Sequence, residues 1–207
     1  MTIPTQERLR AFRARSQQYL RLGHDRWAAA RFIVDATGKP RGPTLDIGTG
    51  KGLLAIAFAQ QGMEVVTIDV NADERALAQL LAEKAGVGAR ITFATGDAAH
   101  LPYPDGGFGC VAMMDVLHHL SEPGPVLREM ARVAAPDALI VLADFDEAGF
   151  ELVSRVHRAE GREHPRTSAT VSSASEELRR CGLVPLANVH GHQHEIGVLR
   201  KPGVRVT

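Results

Sequence analysis

Three glycines stand at alternate positions in Asp46-Ile-Gly-Thr-Gly-Lys-Gly52, directly after a short apolar run from Thr44 to Ile47. Glycine lets the backbone turn sharply and approach a ligand with no Cβ in the way. The first amides of a helix after such a turn can face a carboxylate or a phosphate. A dinucleotide fingerprint needs Gly-x-Gly-x-x-Gly. Counting from Gly48 the sixth position is Leu53, which argues against a nicotinamide site. Asp69 follows 19 positions after Gly50, at the end of a second run, Glu64 to Asp69. A carboxylate at a strand end beside a glycine turn can accept both hydroxyls of a ribose. The same acid can also be a surface group or a helix cap near Asn71.

Histidines are the second chemical resource. His118 and His119 occur together in Asp115-Val-Leu-His-His-Leu120. An imidazole there can orient an acceptor or take its proton near neutral pH, or the pair can simply open the turn toward Ser121-Glu-Pro123. The tail carries His190-Gly-His192-Gln-His194-Glu195. Alternate histidines share a face if extended, and with His157, His164 or Glu195 they can ligate a metal. They can equally contact an acceptor or form a polar hairpin tip. The spacing matches no zinc motif, so the sequence assigns no metal.

These groups need a frame. Leu9, Phe12, Ser16 and Tyr19 fall on one face of a first helix, and Trp27, Ala30 and Val34 on the inner face of a second after Asp25. Gly38 to Pro43 breaks the chain. Strand and helix then alternate: a helix over Lys51 to Gln61, a helix capped by Asn71 with Glu74 returning the bond, and strands over Ile91 to Thr95 and Gly109 to Met114. A helix over Pro125 to Val133 and a strand over Ala138 to Phe145 come next, then a helix with a Ser173/Glu176 capping box. Val184 to Val189 and Ile196 to Arg200 lie too close for a crossover and should pair as an antiparallel hairpin. The pattern predicts an α/β chain with a Rossmann-like, mostly parallel sheet of seven strands and a C-terminal hairpin. Residues 1–42 read as a helical cap and 43–207 as the sheet domain. Ligands of such sheets bind beyond the strands' carboxyl ends, which points to Gly48, Asp69, Asp97, Asp115, Asp144 and the loop at His190.

Composition is compatible: 207 residues at 44% hydrophobic and 23% charged suit one α/β domain with a buried core. No run approaches the roughly 20 apolar residues that span a bilayer, and the arginine-studded N-terminus does not resemble a secretory signal. Cys110 and Cys181 read as reduced core residues, which implies a cytoplasmic setting. Residues 1–41 hold nine basic and three acidic side chains, net +6, so the rest of this neutral chain carries −6. That arm reads as a solvated face packing on an acidic body. Without interleaved aromatics it is a poor nucleic-acid surface.

The segments Leu45-Asp-Ile-Gly-Thr-Gly-Lys-Gly52, Val66-Thr-Ile-Asp-Val70, Gly96-Asp-Ala98 with Leu101-Pro-Tyr-Pro-Asp-Gly-Gly-Phe108, and Asp115-Val-Leu-His-His-Leu120 occur in that order. Together they resemble the motifs of class I S-adenosylmethionine (SAM)-dependent methyltransferases, especially the small-molecule branch of ubiquinone-type C-methyltransferases. The resemblance runs from Thr44 to Asp144; Ala134-Ala-Pro-Asp137 departs from the family's Lys-Pro-Gly-Gly turn. It implies SAM as methyl donor and a small-molecule acceptor. It further implies that Asp46, Gly48, Gly50 and Gly52 hold the methionine part, Asp69 the ribose and Val70 the adenine face. Asp97 and Ala98 would meet the adenine edge, and Asp115 would border the methionine and the acceptor. Asp97 can otherwise be a turn acid, and Asp115 a strand-end cap. His118, His119 and His194 are the acceptor-side candidates. A SAM-binding regulatory module and an RNA or protein methyltransferase are the competing expectations, and a homodimer is left open.

Overall fold

The computed structural model describes residues 5–203; residues 1–4 and 204–207, the outer ends of the two expected units, lie outside it. Helices α1 (Thr5–Arg21) and α2 (Arg26–Thr37) precede strand β1 (Thr44–Ile47) and helix α3 (Leu53–Gln60). Then come β2 (Val65–Asp69), α4 (Ala72–Lys84), β3 (Ile91–Thr95) and β4 (Phe108–Met114). The chain continues with α5 (Pro123–Val133), β5 (Ala134–Phe145), α6 (Glu147–Ala159) and α7 (Val171–Arg180), and ends in β6 (Val184–Gly191) and β7 (His194–Arg200).

The sheet order is β3-β2-β1-β4-β5-β7-β6. The first five strands in that order pair in parallel, and β7 runs antiparallel to both β5 and β6. The expected seven-stranded sheet and closing hairpin are both present. The order reverses between β1 and β4, the switch point where open α/β sheets form a crevice beyond their strand ends. Side chains alternate across the sheet with period two. Cys110, Ala112, Val141 and Ala143 face Phe58, Ile56 and Leu54, whereas Val111, Met113, Ile140 and Leu142 face Leu127 and Met130. Leu9, Phe12, Ile33 and Val34 of α1 and α2 join the first of these clusters, so the N-terminal helices share the core of the sheet.

Several local expectations are corrected. Helix α3 starts at Leu53 rather than Lys51 because Gly52 is left-handed, φ +78°. The Asn71 side chain accepts the Asp73 amide at 3.0 Å, but Glu74 does not return the bond. Its carboxylate instead pairs with Lys51 at 2.8 Å. The box that starts α7 is Thr170 with Ser173, while Glu176 goes to Arg179. Cys110 is buried as expected, but Cys181 is exposed just past α7. The hairpin turn is His192-Gln193, both left-handed at φ +52° and +60°. That two-residue turn reverses the chain, so His190, His192 and His194 do not share a face. Only His194 is buried; the other two are exposed.

Candidate active site

The glycine turn is built by contacts that forbid a side chain. Gly48 has φ +77°, and a Cβ there would fall 2.4 Å from Val116 Cγ2. Its N–H donates to the Ile68 carbonyl at 2.8 Å, tying the turn to β2. Asp69 braces the same turn: Oδ2 accepts the Gly50 N–H and Oδ1 the Asn71 N–H, both at 2.8 Å. A carboxylate offers about four lone-pair positions, so both oxygens keep capacity for further donors. Asp46 is buried beneath, accepting from Thr67 Oγ1 at 2.6 Å. Burial pushes its pKa up to about 7; the Thr67 bond works against that rise and the Asp69 charge adds to it.

Val70, Asp97 and Ala98 lie along the carboxyl ends of β2 and β3, away from the enclosed part of the cleft. Val70 is 73% exposed, an apolar side chain standing free at the ligand edge. Asp97 is exposed and accepts from the Ala99 N–H at 2.9 Å. That bond, with the neighbouring His100, lowers its pKa.

From the glycine turn a cavity of about 630 Å³ runs under the N-terminal helices, a size typical of small-molecule sites. Gly48, Thr49, Asp46 and Asp115 form one end, Phe12, Tyr19 and Arg26 the roof, and His118, His119 and His164 the far end. The chain after β5 covers the cavity. Leu152, Val153 and Val156 of α6 pack with Tyr19, which brings His157, Arg162 and His164 to the wall. Ion pairs close the cap: Arg8 with Asp73 at 2.9 Å and Arg15 with Glu160 at 2.8 Å.

Arg26 escaped the sequence reading. Its guanidinium lies 5.3 Å from the Phe12 ring centre and 5.4 Å from that of Tyr19. It makes no ion pair among the described residues. A signal did exist, since Arg26 is the first residue of α2. A helix N-terminus disfavours cations, so an arginine placed there stands out.

At the far end His118 is buried and doubly held. Its backbone N–H donates to Asp144 Oδ2 at 2.9 Å and its Nδ1 to Oδ1 at 2.6 Å. A carboxylate only accepts, so the Nδ1 proton is fixed and the Nε2 lone pair faces His164, whose Nε2 is 3.1 Å away. Burial, reinforced by the neighbouring histidines, pushes the His164 pKa down to about 4 and lowers that of His119. The turn expected at His118-His119 is present as a short 3-10 turn, Leu117–His119, and it delivers both rings to the cavity.

His194 takes another post. Its Nε2 lies 2.9 Å from Asp115 Oδ1 and its Nδ1 2.8 Å from the His192 carbonyl. Both partners accept, so both ring nitrogens carry protons. His194 therefore stands behind Asp115 as a buried cation, not on the cavity wall as an acceptor-side base.

A model of the methyltransferase domain matches residues 45–142. Norajmaline N-methyltransferase of Rauvolfia serpentina is 37% identical over 117 residues, 56% of this chain and 40% of that protein. The 27-O-demethylrifamycin SV methyltransferase of Amycolatopsis mediterranei is 37% identical over 150 residues, 68% and 53%. A ubiquinone/menaquinone C-methyltransferase of Cellvibrio japonicus is 30% identical over 131 residues, 61% and 53%. The chain thus spans about half the length of the curated relatives it matches. Among solved structures, the cyclase SpnF superposes with a TM-score of 0.68 at 23% identity, covering 86% of this chain and 82% of that one, which speaks to the fold alone. The ordered motifs, the strand order and the matched family model agree: residues 45–142 of this chain form a methyltransferase domain of the class I SAM-dependent fold.

Proposed function

We propose that the protein transfers a methyl group from SAM to an oxygen or nitrogen atom of a small molecule. The observation that carries this reading is that donor and acceptor machinery open into one cavity. A glycine turn braced by Asp69 forms one end, and the buried Asp144–His118 pair forms the other. The cradle fits the donor: Gly50 leaves open space where a Cβ would stand, and Arg26, with no ion pair among the described residues, offers its cation to a carboxylate. Asp46 would hold the ammonium of the methionine part, Arg26 its carboxylate and Asp69 the ribose hydroxyls. Val70, Asp97 and Ala98 would meet the adenine along the open rim.

When bound, SAM supplies an electrophilic methyl carbon whose bonding pair returns to sulfur on transfer. The chain's own contribution is to fix the acceptor in line, which alone lowers the barrier substantially, and to manage its proton at the histidine end. Residues of helices α1 and α6 line the cavity that the acceptor would enter. The printed names of two relatives, an N- and an O-methyltransferase, support a heteroatom acceptor. The paired arginines Arg8 and Arg15 support a small molecule over nucleic acid, because two cations of the basic arm are engaged by acids of the body. The free cysteines support a cytoplasmic setting.

Calorimetry tests the reading. The full chain should bind S-adenosylhomocysteine and not NADH. Asp69→Ala and Arg26→Met should each weaken that binding by roughly ten- to a hundredfold, the effect of losing one or two charge-assisted bonds. Unchanged affinity in both variants would overturn it.

A further inference from the structure

We propose that His118, His119 and His164 form a binding site for a divalent transition-metal ion of the zinc class at the acceptor end of the cavity. The nitrogens they offer lie within 4.8 Å of one another. Two of them, His118 Nε2 and His164 Nε2, are already 3.1 Å apart. Around a tetrahedral zinc ion with Zn–N of about 2.05 Å, neighbouring nitrogens stand about 3.3 Å apart. Only the third ring, His119, needs to draw inward, and it is the exposed one of the three.

The surroundings are those a bound ion requires. Asp144 accepts the Nδ1 proton of His118, which fixes the tautomer and aims the other lone pair at the cavity. Ligating histidines are characteristically held this way. Phe145 and Phe150 pack on the His118 ring at 5.9 and 5.3 Å between ring centres, giving it apolar neighbours. The loop that carries His164 is pinned where it passes, the Thr167 N–H donating to the His118 carbonyl at 2.9 Å. Three neutral imidazoles suit zinc, cobalt or nickel and not magnesium. Three protein ligands with a free position toward the cavity also form the pattern of a catalytic rather than a structural site.

This inference deepens the methyl-transfer reading and rests on it for its chemistry. An acceptor hydroxyl reaching the free position would release its proton to solvent below its usual pKa. Its oxygen would then form the new bond to the methyl carbon as the carbon–sulfur bond breaks and sulfur keeps the electron pair. The substrate class thereby narrows to alcohols and phenols.

Titration of the chelator-treated full chain with cobalt(II) chloride, followed by visible absorption, tests the site. One equivalent of cobalt should develop the strong bands of a tetrahedral centre, and zinc should displace it. His164→Ala and His119→Ala should each weaken cobalt binding by about tenfold or more, while His190→Ala should leave it unchanged. Binding of S-adenosylhomocysteine to His164→Ala should match the parent protein. No band at one equivalent, or equal cobalt affinity in both cavity variants, would sink the metal site. If the homocysteine product still bound in that case, methyl transfer would stand; if it bound to neither protein, that reading would fall as well.

Discussion

His194 Nε2 lies 2.9 Å from Asp115 Oδ1, joining the start of the last strand to the residue just after β4 across 79 positions of sequence. Asp115 is left-handed at φ +59°, a conformation a non-glycine residue holds only when its surroundings impose it. The Asp115 N–H donates to the Ala143 carbonyl at 3.0 Å, the imidazolium pairs with its carboxylate, and Asp115 lines the cavity. Burial alone would lower the His194 pKa, but the Asp115 charge and bond outweigh it and the net shift is upward. Burial likewise opposes Asp115, and the His194 charge holds it below the usual carboxylate range.

The sign of the pH dependence follows. A histidine raised on folding stabilises the protein fully below its unfolded value of about 6.5, and that contribution is lost as pH rises through the raised value. The lowered Asp115 contributes above about pH 3.9 and loses its effect as pH falls through its folded value. The other titratable groups facing His194 are His24, whose ring stacks at 5.8 Å, and Asp144. His194→Gln should lower stability by about 2 kcal/mol at slightly acid pH. The gap to the parent protein should shrink on the alkaline side. Thermal melts of both proteins across about pH 5 to 9 check this window, and a gap that grows with pH would contradict it.

Asp46 predicts linked proton release. Its raised pKa favours the folded, unliganded protein while the carboxyl is protonated. That contribution is whole below about pH 3.9 and is lost as pH rises through about 7. A ligand ammonium would pair with the ionised form. Affinity for S-adenosylhomocysteine should therefore increase between about pH 6 and 8. Calorimetry in buffers of different ionisation enthalpy should register a proton released at the lower pH. Asp46→Asn should abolish both effects; persistence of either would assign them to another group.

The glycine turn has a steric and a conformational requirement, and the two are separable. Gly48→Ala places a methyl group 2.4 Å from Val116 Cγ2 in a residue at φ +77°, and it should cost about 2 kcal/mol or more. For a chain of this size that is a fall in Tm of roughly 4–8 °C. Adding Val116→Ala removes the clash and leaves the backbone strain, so the double variant should recover part of the loss. Full recovery, or none, would show that only one of the two requirements operates.

Local pattern was enough for the frame. The period-two runs, the Gly48-Thr-Gly50 turn and the short gap between Val189 and Ile196 are properties of neighbouring residues, and they placed all seven strands and the ligand edge. Capping was legible only by half: Asn71 was visible as a cap, but whether Glu74 returned the bond or reached Lys51 depended on where the glycine turn lay. The acceptor end was not legible at all as a unit. His118, Asp144 and His164 are separated by 26 and 46 residues from the first, and only sheet pairing and the α6 cover bring them together. His194 shows the same limit from the other side. Extended chain would have grouped it with His190 and His192, but two left-handed residues reversed the strand and buried it alone against Asp115. Periodicity records which face a residue occupies; long-range packing decides which charges and lone pairs meet there, because those encounters are set by distances that no local spacing contains.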